Sequence, residues 1–220
     1  MGVKTLKIDR NFFSSYFHEL FNSLNVIGGL SEPYVDTDSI EEGDLIDDLA
    51  DIHDAFNTAL LQSQKFKIVN NPLNLLIVKN ISSLQLEKKV LMHFPLIPQN
   101  SSLNFCHKTE RSYPNLMMPI VQSILYLCLH QNDGQLVTDQ TITCKTRPNS
   151  IEITATNYGL ISYIKNALDN QSLDGIQASS IKFELMFLIY CLSTYAIKLY
   201  VTNKRNVKFL FKLPEFGGPV

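Results

Sequence analysis

The chain has 220 residues, of which 45% are apolar, and its formal net charge is −2. This composition is typical of a globular protein that forms one large domain or two small ones. The four cysteines show no CxxC spacing, which argues against a disulfide framework and a cysteine-based metal site and predicts buried free thiols. They are Cys106, Cys128, Cys144 and Cys191.

No membrane segment or secretion signal is predicted. The N-terminal sequence MGVKTLKIDR is polar and lacks the hydrophobic stretch of a signal peptide. The longest apolar run, residues 183–201, is interrupted by Glu184 and Lys198, so it predicts a buried helix followed by a strand. We therefore expect a cytoplasmic protein with no membrane partner.

Charge divides the chain into two parts. Residues 1–64 carry three basic and twelve acidic residues, whereas residues 65–220 carry sixteen basic and nine acidic ones. This division predicts two modules, 1–68 and 69–220. The acidity of the first module argues against nucleic acid as its partner.

Apolar residues recur at spacings of 4, 3, 4 and 3 in two segments of the first module, which predicts two amphipathic helices. Asp38 or Ser39 is the expected N-cap of the second helix. Two helices with such wide seams cannot bury both by pairing with each other, so we expect an antiparallel hairpin that dimerises into a four-helix bundle. Packing of the seams on the second module is the alternative. The seams are Phe13, Phe17, Leu20, Leu24 and Ile27, then Leu45, Leu49, Ile52, Phe56 and Ala59.

His18 lies on a polar face of the first predicted helix. Ser14, His18, Asn22 and Asn25 follow one another at spacings of 4, 4 and 3, so they share one side of the helix. A solvated imidazole there could act as a nucleophile through its outer nitrogen, although the same pattern fits an ordinary surface histidine. We interpret His53 on the second helix as such a surface histidine, without a matching constellation.

The sequence His18-Glu19-Leu20-Phe21-Asn22-Ser23-Leu24-Asn25 resembles the phosphoacceptor box of two-component sensor histidine kinases, H-E-L-R-[NT]-P-L. The later stretch LLQSQKFKI resembles the end of the dimerisation hairpin of that family. SLNFCHK, MMPIVQSILYLCLHQ, SIEITATNYG and the closing VKFLFKLP are similar to segments of the kinase ATP-binding domain. The resemblance implies an α+β chain, with a helical hairpin followed by a degenerate α/β sandwich of the histidine-kinase ATPase type.

The nucleotide-binding positions depart from that family pattern. Phosphate loops need glycines because backbone N–H groups must approach the ligand closely. The resemblance therefore implies that this chain has no ATP site and no autokinase activity. Tyr126 and His130 replace the two asparagines of the ATP helix, Asn157 replaces the adenine-reading aspartate beside a retained Gly159, and Lys182 and Glu184 replace the paired glycines around Phe183.

A retained phosphoacceptor with a lost ATP site resembles the histidine phosphotransferases derived from sensor kinases, as in sporulation and cell-cycle phosphorelays. The resemblance implies that His18 accepts a phosphoryl group from the aspartate of a response-regulator receiver domain and passes it to another. Glu19 would orient the imidazole or accept its proton, and Asn22 would complete the catalytic set. Ser14, Phe21 and Asn25 would contact the receiver. Mg²⁺ would come from the receiver, so we expect no cofactor or metal site in this chain.

Two other functions remain open. Glu19 and Asn22 also fit the E-x-x-[NT] pattern of bifunctional kinases that dephosphorylate their regulators, where the amide positions a water and the histidine is dispensable. The other alternative is a pseudokinase that docks on a kinase or regulator without catalysis. Substitution of His18 should abolish phosphotransfer and spare phosphatase activity, and substitution of Asn22 should do the reverse; neither should matter much to a docking protein.

Overall fold

The computed structural model describes residues 10–31, 42–70, 80–92, 101–107, 112–147, 150–156, 161–170, 173–195, 197–203 and 207–212. Within these segments the chain has an α+β fold. The helices are α1 (Arg10–Ser31), α2 (Glu42–Asn70), α3 (Ser83–Met92), α4 (Met117–Leu129), α5 (Ile161–Asn170) and α6 (Ser179–Thr194). The strands are β1 (Asn80–Ser82), β2 (Ser102–His107), β3 (Ser112–Pro114), β4 (Thr141–Arg147), β5 (Ser150–Ala155), β6 (Lys198–Asn203) and β7 (Val207–Lys212).

A mixed five-stranded sheet lies in residues 69–220, here called the second module, and its strand order is β2-β4-β5-β7-β6. β2 pairs with β4 in parallel, and the other three pairs are antiparallel. Ile142 and Cys144 of β4 are buried, whereas the flanking residues Thr141 and Lys145 are exposed and Thr143 between them is half-buried. This alternation is expected of a strand with one face on a core. β1 and β3 form a separate antiparallel pair.

Helices α4 and α6 build the core together with the inner face of the sheet. α4 is buried along nearly its whole length, and α6 contributes Phe183 and Phe187, both fully buried. The predicted helix followed by a strand in residues 183–201 is confirmed, because α6 is followed by β6. None of the described helices combines the length and the apolar character that a membrane crossing requires.

Helices α1 and α2, here called the helix pair, pack along each other in opposite directions. The ring of Tyr16, near the start of α1, stacks on Phe66, near the end of α2, with centroids 4.4 Å apart. Phe13 meets the same ring edge-on at 5.9 Å. α1 continues through Gly28 and Gly29 to Ser31. The candidate N-caps Asp38 and Ser39 lie outside the described residues.

Much of the predicted apolar seam of the helix pair faces solvent in the single chain. Phe17 and Leu24 of α1 are 45% and 47% exposed, and Leu49 and Phe56 of α2 are 53% and 57% exposed. Ala59, by contrast, is buried. The helix pair thus leaves an apolar stripe without a partner in the described part of the chain. The four-helix bundle stays a prediction.

A buried ion pair joins α2 to α6. The Lys65 ammonium group donates to both carboxylate oxygens of Glu184, at 2.5 Å to Oε1, and Lys65 is fully buried. Its Nζ also lies 5.8 Å from the ring centroid of Phe183 and 5.5 Å from that of Phe187, within the range of cation–π attraction. Burial lowers the pKa of Lys65, and the charge of Glu184 opposes that shift. The pair fixes how the helix pair sits on the second module.

The cysteines lie where the sequence predicts, with one exception. Cys128, Cys144 and Cys191 are buried, and burial raises the pKa of Cys128 and of Cys144 to about 12. Thiols with a raised pKa are poor nucleophiles and metal ligands at neutral pH. Cys106 is exposed, so the prediction of burial is wrong for this residue. None of these four residues, all in described segments, forms a disulfide.

Candidate functional site

The polar face of α1 is open to solvent. Ser14, His18, Asn22 and Asn25 are all exposed, as their common spacing predicts. Phe21 is 58% exposed beside them. A helix positions these side chains well because residues three and four apart stand above one another on a rigid backbone. The site therefore offers an imidazole, two amides and an aromatic ring on one accessible surface.

Contacts to the His18 ring converge on one nitrogen. Glu19 Oε1 lies 3.4 Å from His18 Nδ1, and Asn22 Nδ2 lies 3.1 Å from the same atom. A third group comes from the far end of the chain, where Ser179 Oγ lies 3.3 Å from Nδ1. All three partners approach Nδ1, whereas the side chain as a whole is 59% exposed. Nε2 is therefore the nitrogen available to an incoming group.

The contacts of Ser179 and Glu19 favour the His18 tautomer with the proton on Nδ1. The Ser179 hydroxyl donates to Glu19 Oε1 at 2.6 Å, so its single hydrogen is already used and its oxygen can only accept from Nδ1. Glu19 is also an acceptor, which places the ring proton on Nδ1 and a lone pair on Nε2. Asn22 fits the same tautomer when its carbonyl oxygen, related to Nδ2 by an amide flip, faces the ring. The arrangement is that of a nucleophilic imidazole oriented by a carboxylate.

The loop after α4 places Ser179 against α1. Asn132 accepts backbone hydrogen bonds from Gln177 and Ala178 at 3.0 Å each, immediately before α6 begins. Gly134, with φ of +90°, lies so close that a Cβ added to it would stand 3.1 Å from Ala178 Cβ. A larger residue at 134 would meet both strain and contact. These contacts hold the start of α6 against the loop after α4, and from there Ser179 reaches Glu19.

Glu19 also benefits from this placement. Its carboxylate receives the Ser179 hydroxyl at the first residue of α6, where the helix has unpaired N–H groups and the positive end of its dipole. The Glu19 side chain is only 15% exposed. The hydrogen bond from Ser179 holds this carboxylate beside His18. Sequence reasoning missed Ser179 because 160 residues separate it from Glu19, and no local pattern marks it.

Aromatic rings fill the positions where the kinase ATP helix carries asparagines. The Tyr126 and His130 rings stack with centroids 3.9 Å apart, and His130 Nδ1 donates to the Tyr126 carbonyl at 2.8 Å. Burial raises the pKa of Tyr126 to about 12 and lowers the pKa of His130. Both rings are therefore neutral near pH 7. Neither offers the amide oxygen that a metal ion bridging phosphates would require.

The other residues that the resemblance aligns with the kinase nucleotide site are bonded within the protein or lie outside the described residues. Glu184 is bound to Lys65, so its carboxylate is already neutralised by a buried cation. Lys182 lies within α6, with its backbone N–H bonded to the Ala178 carbonyl. Asn157 and Gly159 lie outside the described residues. Among the residues that are described, no group of three or more metal-ligating side chains is present.

A second histidine, His53 on α2, also has an amide and an acid beside its ring. Asn57 Nδ2 lies 3.1 Å from His53 Nδ1, and Asp54 Oδ1 lies 3.7 Å from the same nitrogen. The statement that no matching constellation surrounds His53 is therefore wrong. The signal was present in the sequence, since His53, Asp54 and Asn57 repeat the spacing of His18, Glu19 and Asn22.

Comparison with known proteins finds solved structures whose fold is similar to that of this chain. Neither a protein-family model nor a curated protein matches the chain. Among solved structures, a bacterial phosphotransferase matches with 10% identity over 94% of this chain and 99% of that chain, with a TM-score of 0.58. The histidine kinase AdeS of Acinetobacter baumannii matches with 10% identity over 91% of this chain and 98% of that chain, with a TM-score of 0.47.

A third solved structure contains a partner protein. The histidine kinase ThkA in complex with the response regulator TrrA matches with 14% identity over 90% of this chain and 59% of that chain, with a TM-score of 0.36. Such identities speak to the fold alone, and the fold argument rests on the phosphotransferase, which has the highest TM-score of the three. This chain shares that fold across the helix pair and the second module.

Proposed function

We propose that the chain is a histidine phosphotransferase that relays a phosphoryl group between response-regulator aspartates through His18. The observation that carries this proposal is the one-sided bonding of the imidazole. Glu19, Asn22 and Ser179 all contact Nδ1, and Nε2 of a 59% exposed side chain is left to a partner. The shared fold with a bacterial phosphotransferase supports it.

The transfer follows from this geometry. The Nε2 lone pair attacks the phosphorus of an aspartyl phosphate on a docked receiver domain, the N–P bond forms, and the P–O bond breaks. The receiver carboxylate leaves with the bonding electron pair. The phosphorylated ring is now cationic, with its Nδ1–H directed at Glu19, which stabilises the charge or takes the proton. Positioning and charge neutralisation supply most of the rate enhancement in such transfers.

The partners of this reaction are receiver domains, and the protein acts without a nucleotide of its own. Mg²⁺ and a lysine of the receiver would neutralise the phosphoryl oxygens. The stacked rings of Tyr126 and His130 and the neutralised Glu184 support the absence of ATP binding and autokinase activity. Ser14, Phe21 and Asn25 are exposed beside His18 and would form the docking surface. The relay would operate in the cytoplasm, where receiver domains are found.

A homodimer through the helix pair completes the proposal. Seven of the eleven large hydrophobic side chains that are exposed in the described residues belong to α1 and α2. An apolar stripe of this kind on two antiparallel helices is typical of a dimer that forms a four-helix bundle. The seven are Phe17, Phe21, Leu24, Val26, Leu49, Phe56 and Leu60. Phe17, Leu24, Leu49, Phe56 and Leu60 line the stripe, whereas Phe21 belongs to the docking surface beside His18 and Val26 lies on another face of α1.

The deciding experiment is phosphoryl transfer from a receiver domain carrying a labelled aspartyl phosphate. Wild type, His18→Ala and Asn22→Ala are compared, with labelled ATP in place of the receiver as a control. We expect an acid-labile label on the wild type, its loss from the box in His18→Ala, and none from ATP. His53→Ala is the matched control, because it removes an exposed imidazole from α2 and leaves the label on His18.

Two outcomes would replace the proposal. A receiver that loses phosphate in an Asn22-dependent and His18-independent way, with no label on the chain, would establish a phosphatase that uses Glu19 and Asn22. Stable binding of receivers or kinases with neither transfer nor hydrolysis would establish a non-catalytic docking or inhibitor protein. Label from ATP would refute the absence of autokinase activity.

A further inference from the structure

The box around His18 occurs a second time, on α2. His18-Glu19-Leu20-Phe21-Asn22-Ser23 and His53-Asp54-Ala55-Phe56-Asn57-Thr58 agree in the histidine, the acid, a small or branched apolar residue, the phenylalanine, the amide and the hydroxyl. Each histidine directly follows an apolar residue of the predicted seams. Six matching chemical types in order on both helices form an internal repeat.

The two boxes also agree in structure. Asn22 Nδ2 lies 3.1 Å from His18 Nδ1, and Asn57 Nδ2 lies at the same distance from His53 Nδ1. The side chains of His18 and His53 are 59% and 66% exposed. Phe21 and Phe56 are 58% and 57% exposed. In both boxes the acid is far less exposed than its histidine, at 15% for Glu19 and 23% for Asp54.

One difference separates them. Glu19 is bonded to Ser179, whereas the contacts that the structure shows for His53 come from Asp54 and Asn57 on its own helix. Asp54 Oδ1 lies 3.7 Å from Nδ1, and Asn57 Nδ2 reaches Nε2 as well, at 3.3 Å. The His53 ring is accessible but less firmly oriented, because no residue in the described part of the second module contacts Asp54 as Ser179 contacts Glu19.

We propose that His53 is a second phosphoryl acceptor, slower than His18. The inference rests on the proposed function, since it assigns to His53 the same class of donor, a phosphoryl group on a carboxylate. His53 Nε2 attacks the phosphorus, the N–P bond forms and the donor P–O bond breaks with its electrons leaving on the carboxylate. The Nδ1 proton passes to Asp54 or to water.

The test uses potassium phosphoramidate, a small phosphoryl donor that reacts with imidazole nitrogens without a receiver. Nε2 attacks its phosphorus, the P–N bond breaks and ammonia leaves. The full-length wild type, His18→Ala, His53→Ala and the double variant are treated at neutral pH. Phosphoryl groups are counted by intact mass and located by peptide mapping.

We expect up to two phosphoryl groups on the boxes of the wild type, one on His53 in His18→Ala, one on His18 in His53→Ala, and none on either box in the double variant. Labelling of His53 should be about tenfold slower than that of His18, the effect of losing one positioning hydrogen bond. Asn57→Ala, added to His18→Ala, should slow it about tenfold more.

Three results would overturn the inference. Label on His18 but not on His53 refutes it and leaves the proposed function intact. Labelling of His53 that is unchanged by Asn57→Ala shows an ordinary surface imidazole. No label on either box shows that neither imidazole is activated, and refutes the second acceptor, whereas transfer through His18 is then decided by the receiver experiment alone.

Discussion

Breaking the Lys65–Glu184 pair should cost more stability than any other single change on the helix pair. Lys65→Met removes the ammonium group, which is fully buried in the native chain, and leaves the buried Glu184 carboxylate without a cation. An uncompensated buried charge of this kind costs about 3–5 kcal/mol. That is a large share of the total stability of a domain. Glu184→Gln should be comparably destabilising, because it leaves the Lys65 ammonium without its counter-charge.

The double variant tests whether the pair itself is the cause. Lys65→Met combined with Glu184→Leu replaces both charges by apolar groups in an apolar surrounding, a change that is often neutral or stabilising by about 1–4 kcal/mol. We therefore expect the double variant to be more stable than either single variant. The free energy of unfolding is measured by urea denaturation with the m-value checked for constancy.

Lys67→Met is the matched control, since Lys67 lies two residues away on α2 and is exposed. It should change the free energy of unfolding by no more than about 0.5 kcal/mol. Single variants that lose less than about 1 kcal/mol, or a double variant whose loss equals the sum of both, would refute the reasoning.

Three further predictions concern the site, the dimer and pH. Ser179→Ala should slow phosphorylation of His18 about tenfold or more, because a hydrogen bond to a charged group is lost, whereas Ser180→Ala should not; equal rates for both variants would contradict the role of Ser179. Phe17→Glu should yield monomers by sedimentation velocity while Leu136→Glu, at an equally exposed position of the second module, stays dimeric; unchanged dimers in Phe17→Glu would place the interface elsewhere. Burial lowers the pKa of His130 below its usual 6.5, so the unfolded chain binds the extra proton first and stability falls as the pH falls below that value. The melting temperature of His130→Asn should fall less than that of wild type between about pH 7.5 and about pH 5.5, and parallel decreases would refute the assignment.

Local patterns predicted those parts of the fold and the site that depend on neighbours in sequence. The spacing of Ser14, His18, Asn22 and Asn25 placed them on one exposed face, because a helix converts spacing directly into direction. The long apolar run of residues 183–201 predicted the buried helix that becomes α6 and the strand after it. The sequence also contains the repeat at His53. The repeat was missed because the family resemblance concerns the first helix alone.

Contacts between distant segments could not be predicted in this way. Lys65 stands in the basic end of an amphipathic helix, where a solvated lysine is the ordinary expectation, yet it is fully buried. For its partner Glu184, the sequence predicts only the loss of a phosphate-binding glycine and no ion pair. No sequence pattern marks Ser179. It donates a hydrogen bond to Glu19 only because α6 packs against α1. Such pairs depend on the tertiary arrangement and leave no periodic signal.

The core that the two modules share has a consequence for the orientation of His18. Tyr16, Ile68 and Val69 of the helix pair belong to the same buried cluster as α4, α6 and the sheet. Segments that share one core open together, so loss of packing in the second module also withdraws Ser179 from Glu19 and disorients His18. A chain whose second module is loosened then loses the contact that holds Glu19 beside the imidazole. The second module thereby contributes to the order of the His18 site through packing alone.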